Sequence, residues 1–279
     1  MHDTLLHVRG LRVSYPSERG ETVAVRHVSF DMGRERLGIV GESGSGKSTT
    51  GRALMGLIQP PGVVGADAMR LGQTDLTRLS PRGWRALRGR RIAMVLQDPK
   101  FSLNPTMTVG RQIAETHAAH RRPGAPRRAA LEMLEQVGLR DPARVYRLYP
   151  HEVSGGMAQR AMIAMMLVAG PELLIADEPT SALDVTVQLQ VLGVLDALVR
   201  ERGMGLILIS HNLPLVAGFC DRVLVMYAGH VVEEVRAAEL ARARHPYTRG
   251  LLACLPELAH RVAELPQLRR DPAWLEDVA

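Results

Sequence analysis

Gly41-Glu42-Ser43-Gly44-Ser45-Gly46-Lys47-Ser48 decides how this chain is read. It follows Arg36–Val40 (RLGIV), an apolar run with a buried-strand pattern, and it opens Ser48–Leu57, which reads as a helix closed by Gln59-Pro60-Pro61-Gly62. A G-x-x-x-x-G-K-[ST] pattern between strand and helix is a phosphate-binding loop. Its glycines let backbone N–H groups turn toward an anion, and the helix N-terminus adds the positive end of its dipole. Lys47 is placed to reach β- and γ-phosphates, and the Ser48 hydroxyl to ligate Mg²⁺. Lys47 and Lys100 are the only lysines among 35 basic residues, and one of the two falls in this loop.

Outward from the loop, Leu173-Leu174-Ile175-Ala176-Asp177-Glu178 is an apolar strand that delivers two adjacent carboxylates to its C-terminal end, where open parallel sheets bind ligands. Asp177 suits a Mg²⁺ shell, and Glu178 suits a base that polarises water. Taken alone, the pair also reads as a surface acidic turn. Ser154-Gly155-Gly156 precedes a helix, Met157–Ala169, and so makes either a second anion site or a plain N-cap. His211, after the apolar strand Leu206–Ser210, emerges at the same sheet edge as Glu178 or serves only as a cap.

The remaining pattern is that of an α/β chain. Residues 5–31 alternate in short β-like pieces (Leu6-His7-Val8, Leu11-Arg12-Val13, Val23–Phe30) split by Pro16 and Gly20. Arg91–Leu96 reads as a strand, Val185–Glu201 as a helix, Leu213–Gly218 as a short helix, and Arg222–Tyr227 with His230–Glu234 as a hairpin. Pro126–Gly138 reads as a helix with Ala130, Leu131, Leu134 and Val137 on one face. Alternating strands and helices predict a mostly parallel sheet. The stretch of about 100–165 is too long for a loop and is expected to be an inserted helical subdomain of a domain over 1–234. A Pro-punctuated helical extension over 235–279 follows.

Composition narrows the class. The chain has 279 residues, 46% hydrophobic and 23% charged, which excludes disordered, collagen-like and coiled-coil chains. Its apolar runs, such as Ala161–Ala169, are about half the ~20 residues of a membrane span. Met1–Gly10 shows no secretory signal, so a cytoplasmic chain is expected. The net charge of +6 is spread along the chain, which argues against nucleic acid. Cys220 and Cys254 are too few for a disulfide framework or a four-thiolate site.

Taken in order, these residues resemble the nucleotide-binding subunits of ABC transporters over about 5–235. Val13-Ser14-Tyr15 resembles the family's aromatic loop, with Tyr15 stacking on adenine, and Gly41–Thr49 its phosphate loop. Leu96-Gln97-Asp98-Pro99 resembles the loop whose glutamine, here Gln97, reaches Mg²⁺ and the attacking water. Val153-Ser154-Gly155-Gly156-Met157-Ala158-Gln159 resembles the family signature, Ser181-Ala182-Leu183-Asp184 the loop that crosses the dimer, and His211 the switch histidine. Met157 departs from the usual glutamine, and Asn212 from a common aspartate.

The resemblance implies an α/β P-loop NTPase core with an N-terminal antiparallel β portion and an inserted helical subdomain. It also implies ATP and Mg²⁺ as cofactors. Catalysis then falls to Glu178, His211, Gln97 and Lys47, and the metal to Ser48, Gln97 and Asp177. Nucleotide contacts come from Tyr15, Gly41, Glu42, Ser43, Gly44, Ser45, Gly46, Lys47, Ser48 and Thr49, with Ser154, Gly155, Gly156, Gln159 and Asp184 reaching ATP in a head-to-tail partner.

Asp98–Pro105, Tyr149-Pro150-His151-Glu152, Ser154–Arg160 and His245-Pro246-Tyr247-Thr248 resemble the oligopeptide/dipeptide/nickel importer branch, where Met157 is familiar. The branch implies an ATP-hydrolysing subunit for peptide or metal-chelate import on the cytoplasmic face of the cell membrane. Its expected partners are a second, paralogous ATPase, two permease subunits and an extracytoplasmic binding protein, with no nucleic acid. Some members carry an iron–sulfur cluster in the extension; only Cys254 lies there in this chain, so none is expected. An exporter cassette and a nucleic-acid ATPase are the alternatives. Residues 102–105 and 245–248 argue against the first, and the absence of a long coiled-coil insertion or a second cassette against the other.

Overall fold

The structure, a computed structural model, describes residues 4–18, 20–98, 102–120, 123–181, 183–255 and 271–275. Pro99–Phe101, Ala182 and residues 256–270 and 276–279, all within segments singled out above, lie outside the described residues. The chain divides into two units: 1–78 with 208–279, and 79–207.

In the first unit, β1 (Leu6–Ser17) and β2 (Gly20–Met32) pair antiparallel from Leu6↔Met32 to Ser17↔Gly20. These are two long strands where short pieces were expected. Register shifts between Val8 and Ser14 absorb the broken alternation without ending the ladder. On its other edge β1 meets β4 (Val63–Gly65) at Arg12–Ser14 and β5 (Ala68–Leu71) at Leu6–Arg9. Pro16 therefore sits beyond both, where β1 is an edge and a missing N–H is tolerated. β6 (Thr74–Asp75) completes that sheet.

The same unit holds β3 (Arg36–Val40) parallel to β10 (Arg222–Tyr227), which pairs antiparallel with β11 (His230–Arg236). Residues 208–209, the end of β9 (Gly205–Ile209), lie beside β3. Among the described residues of this unit the helices are α1 (Lys47–Leu54), α8 (Leu213–Phe219) and α9 (Pro246–Ala253), with 3₁₀ turns over 237–242 and 272–275. Cys220, buried behind Gly38, has its thiol pushed up to about 12 by burial and then by the Asp221 carboxylate. It is a packing residue, not a nucleophile.

In the second unit β7 (Ile92–Val95) runs parallel to β8 (Leu173–Asp177), followed by the start of β9. All of β8 is buried, as a continuous apolar run in a parallel sheet must be. Leu173, Leu174 and Ile175 are fully covered, each worth about 1.5–3 kcal/mol of burial. Among the described residues, the chain between β7 and β8 carries α3 (Val109–Ala119), α4 (Pro126–Gln136), α5 (Pro142–Arg147) and α6 (Gly155–Leu167). On α4 the buried face is Ala130, Met133 and Leu134, with Val137 at its cap; Leu131 is only half-buried. α7 (Val185–Arg202) buries Val191, Leu192, Leu195, Leu198 and Val199 at helical spacing and stops at Gly203 in the left-handed region. α2 (Pro81–Leu87) was not read from sequence, although Ser80 caps it and Pro81 opens it. The architecture is the expected α/β core with a mostly parallel sheet, an N-terminal antiparallel portion and inserted helices. Among the described residues, no helix is long and apolar enough to cross a membrane.

Candidate functional site

The first unit carries the phosphate loop, between β3 and α1. Gly41 has φ +149°, and a Cβ there would stand 2.1 Å from the Met226 carbonyl; at Gly46, φ +98°, it would stand 2.5 Å from the Ala24 carbonyl. Both positions need glycine because the loop lies directly on neighbouring backbone. A Ser45 N–H bond to Glu42 O (3.2 Å) closes the turn, and Gly229 N–H donates to Ser45 O (3.1 Å). Lys47 is 6% exposed. Its Nζ donates to Gly41 O (2.8 Å), Glu42 O (2.7 Å) and Ser45 Oγ (3.4 Å), so the buried ammonium is held by the loop it serves. Ser43 and Gly44 are exposed, and Ser48 and Thr49 are half-buried.

Sequence reading missed one contact to this loop. The Glu42 N–H donates to the Tyr247 hydroxyl (2.9 Å). Its signal in the sequence is His245-Pro246-Tyr247-Thr248, a segment that there marks only the importer branch. Tyr15, half-buried on β1, places its ring against Gly62, whose Cβ would meet Tyr15 Cε1 at 2.7 Å. His211 is exposed just beyond β9. Asn212 Oδ1 accepts from Leu215 N–H (3.1 Å) and caps α8, a task asparagine and aspartate perform equally well.

The second unit carries the carboxylates. Asp177 ends β8 and is 4% exposed. Glu178 follows, half-buried and at φ +47°, a region non-glycine residues rarely occupy and one that tends to mark functional positions. Ser181 donates to the Glu178 carbonyl through its N–H and its hydroxyl (3.3 and 3.2 Å), holding that turn. Gln97 Nε2 donates to Glu178 Oε2 at 3.3 Å, so two residues assigned separately to catalysis meet. With its amide nitrogen on the glutamate, Gln97 keeps its Oε1 acceptor for other use. A water between a carboxylate and an amide is oriented and polarised by both.

In the same unit Ser154 Oγ accepts from Met157 N–H (3.3 Å) and caps α6, while Asp184 Oδ1 accepts from Val187 N–H (3.0 Å) and caps α7. Both side chains are exposed. A Cβ on Gly155 would find only Leu183 Cδ2, at 3.9 Å, whereas one on Gly156 would stand 2.5 Å from Val187 Cγ1. Gly156 is required by the approach of α7, and Gly155 is free of such pressure. Gln159 is 1% exposed, and its Nε2 has no hydrogen-bond partner. It lies inside the unit rather than at its surface.

Ser48 in the first unit offers a hydroxyl, and Gln97 and Asp177 in the second an amide carbonyl and a carboxylate. Each is a hard oxygen donor of the kind Mg²⁺ takes. Among the described residues there is no cluster of three or more His, Cys, Asp or Glu that would suit a transition metal.

Residues 25–181 match a family model described as ABC transporter. The dipeptide transport ATP-binding protein of Haemophilus influenzae is 46% identical over 271 residues, covering 95% of this chain and 82% of its own length. The oligopeptide transport ATP-binding protein of Bacillus subtilis is 47% identical over 259 residues, covering 91% and 72%. A dimeric ATP-binding cassette, solved in a post-hydrolysis state with ADP and Pi, superposes with a TM-score of 0.74 at 25% identity, over 83% of this chain and 98% of that one. A Clostridium perfringens protein that is part of an ABC transporter complex superposes equally well, with a TM-score of 0.74 at 26% identity, over 86% and 92%.

Proposed function

The chain belongs to the ABC transporter family and is an ATP-binding, ATP-hydrolysing protein; on that premise we propose that it powers an importer of peptides. The supporting observation is its near-full-length similarity to proteins named for dipeptide and oligopeptide transport. In this reading Lys47 and the N–H groups of Gly41–Thr49 hold the phosphates, and Tyr15 stacks on the adenine. Glu178 accepts a proton from the attacking water, which Gln97 orients, and His211 faces the γ-phosphate. Ser48, Gln97 and Asp177 would hold Mg²⁺, which would supply charge neutralisation of the phosphates. Ser154, Gly155, Gly156 and Asp184 act on ATP held by a second ATPase subunit, a paralogue; Gln159, expected among these contacts, is 1% exposed and does not reach it. Closure of that pair on ATP, and its reopening after hydrolysis, drives two permease subunits from the cytoplasmic face, with an extracytoplasmic binding protein supplying the solute.

Deleting the chain tests the solute. Uptake of labelled dipeptide or oligopeptide is expected to stop while nickel uptake persists. Loss of nickel uptake with peptide uptake intact overturns the peptide reading in favour of a metal chelate.

A further inference from the structure

Tyr247 reaches the phosphate loop from a distant part of the chain, 205 residues from Glu42 in sequence. The residue is fully buried, with its ring packed on Tyr227 (centroids 4.5 Å apart) and Trp274 (5.5 Å), which also touch each other at 5.4 Å. His245 ties this cluster together. Its Nδ1 accepts from Tyr247 N–H and its Nε2 faces the Trp274 carbonyl, both at 3.2 Å, which is satisfied when Nε2 carries the proton. Tyr227 ends β10, and two residues later Gly229 bonds Ser45 and accepts from Arg26 N–H (2.8 Å). One strand end thus both supports the loop and seats the tyrosine.

The geometry of a single peptide unit gives the hydroxyl a role beyond filling space. The Gly41–Glu42 peptide is planar and trans, so its C=O and N–H point in opposite directions. Its carbonyl, Gly41 O, accepts from Lys47 Nζ, and its N–H donates to Tyr247. Tyr247 and Lys47 therefore grip the two sides of one plane. Rotation of that plane moves the carbonyl that holds the ammonium.

We propose that Tyr247 is a positioning residue for nucleotide binding, whose hydroxyl fixes the Gly41–Glu42 peptide and through it the Lys47 ammonium. The proposal rests on Gly41–Ser48 being the phosphate site.

Tyr247→Phe in the full chain, which keeps the ring cluster and removes the hydroxyl, is the test. The KM for ATP is expected to rise about fivefold, the worth of one ordinary hydrogen bond, with kcat changed by less than about twofold. Hydrogen exchange is expected to quicken at residues 41–47 and not elsewhere. In the unaltered chain without nucleotide, the Glu42 amide is expected to be protected, a measurement that decides the matter even if the variant fails to fold. An unchanged KM with only a lower melting temperature makes Tyr247 a mere packing residue and overturns the proposal; so does a Glu42 amide that exchanges as fast as that of exposed Gly44. If instead Lys47→Ala binds ATP like the parent, the phosphate-site reading itself has failed.

Discussion

Glu178 sits at positive φ with its carboxylate 3.3 Å from the Gln97 amide nitrogen, and Lys47 is buried against two loop carbonyls. These two residues make opposite predictions. Glu178→Gln keeps the shape and removes the charge, so ATP is expected to bind while turnover falls at least about 100-fold, the lower end of what a general base contributes. Phosphate release measured beside nucleotide titration checks it; parental turnover removes Glu178 from the role of base. Lys47→Ala deletes the loop cation and the ammonium that donates to the Gly41 and Glu42 carbonyls. Affinity for ATP is expected to drop roughly 10–100-fold, the scale of a lost hydrogen bond to a charged group, and hydrolysis with it. Near-parental binding rejects the phosphate-loop assignment. Both positions are legible from residue order as candidates, because a glycine loop between strand and helix and an acidic pair ending an apolar strand are local signatures. The contact between Gln97 and Glu178 was not, since 81 residues separate them and sheet register alone brings them together.

At the scale of elements, α6 and α7 show what sequence reading left open. Ser154, Asp184 and Asn212 are N-caps whatever else they do, and the residues that mark a helix start in sequence are the same ones that cap it here. The two signature glycines separate sharply. Gly155→Ala meets only Leu183 Cδ2, at an ordinary 3.9 Å contact, and gains helix propensity, so its melting temperature is expected to stay level or rise. Gly156→Ala drives a methyl to 2.5 Å from Val187 Cγ1, and overpacking of that kind costs about 1–3 kcal/mol. Thermal melts of the two variants, with Gly156→Ala/Val187→Ala expected to recover most of the loss, check the packing. Equal melting temperatures for both single variants contradict it. The sequence pattern Ser-Gly-Gly shows a flexible helix start; only the packing of α7 distinguishes its two glycines.

For the whole molecule, the head-to-tail pairing proposed above places the signature of one subunit on the nucleotide of another. Gly155→Asp fits the single chain, because nothing presses on that position, and it puts a carboxylate where a γ-phosphate docks. The variant is expected to bind ATP as a monomer like the parent and to fail in dimerisation and hydrolysis, followed by light scattering and phosphate release. Loss of ATP binding by the isolated variant chain contradicts action on a partner's nucleotide. What residue order determined by itself was every feature built from near neighbours: the phosphate loop, the strand ending in Asp177-Glu178, the caps, and the alternation that gives an α/β core. Tertiary structure alone decided that β1 runs on through Pro16, that Gln159 is buried, that Gly156 is held by Val187 and that Tyr247 holds Glu42. Those outcomes depend on register and on which faces meet. Such contacts join residues far apart in the chain, each an ordinary side chain until its partner arrives.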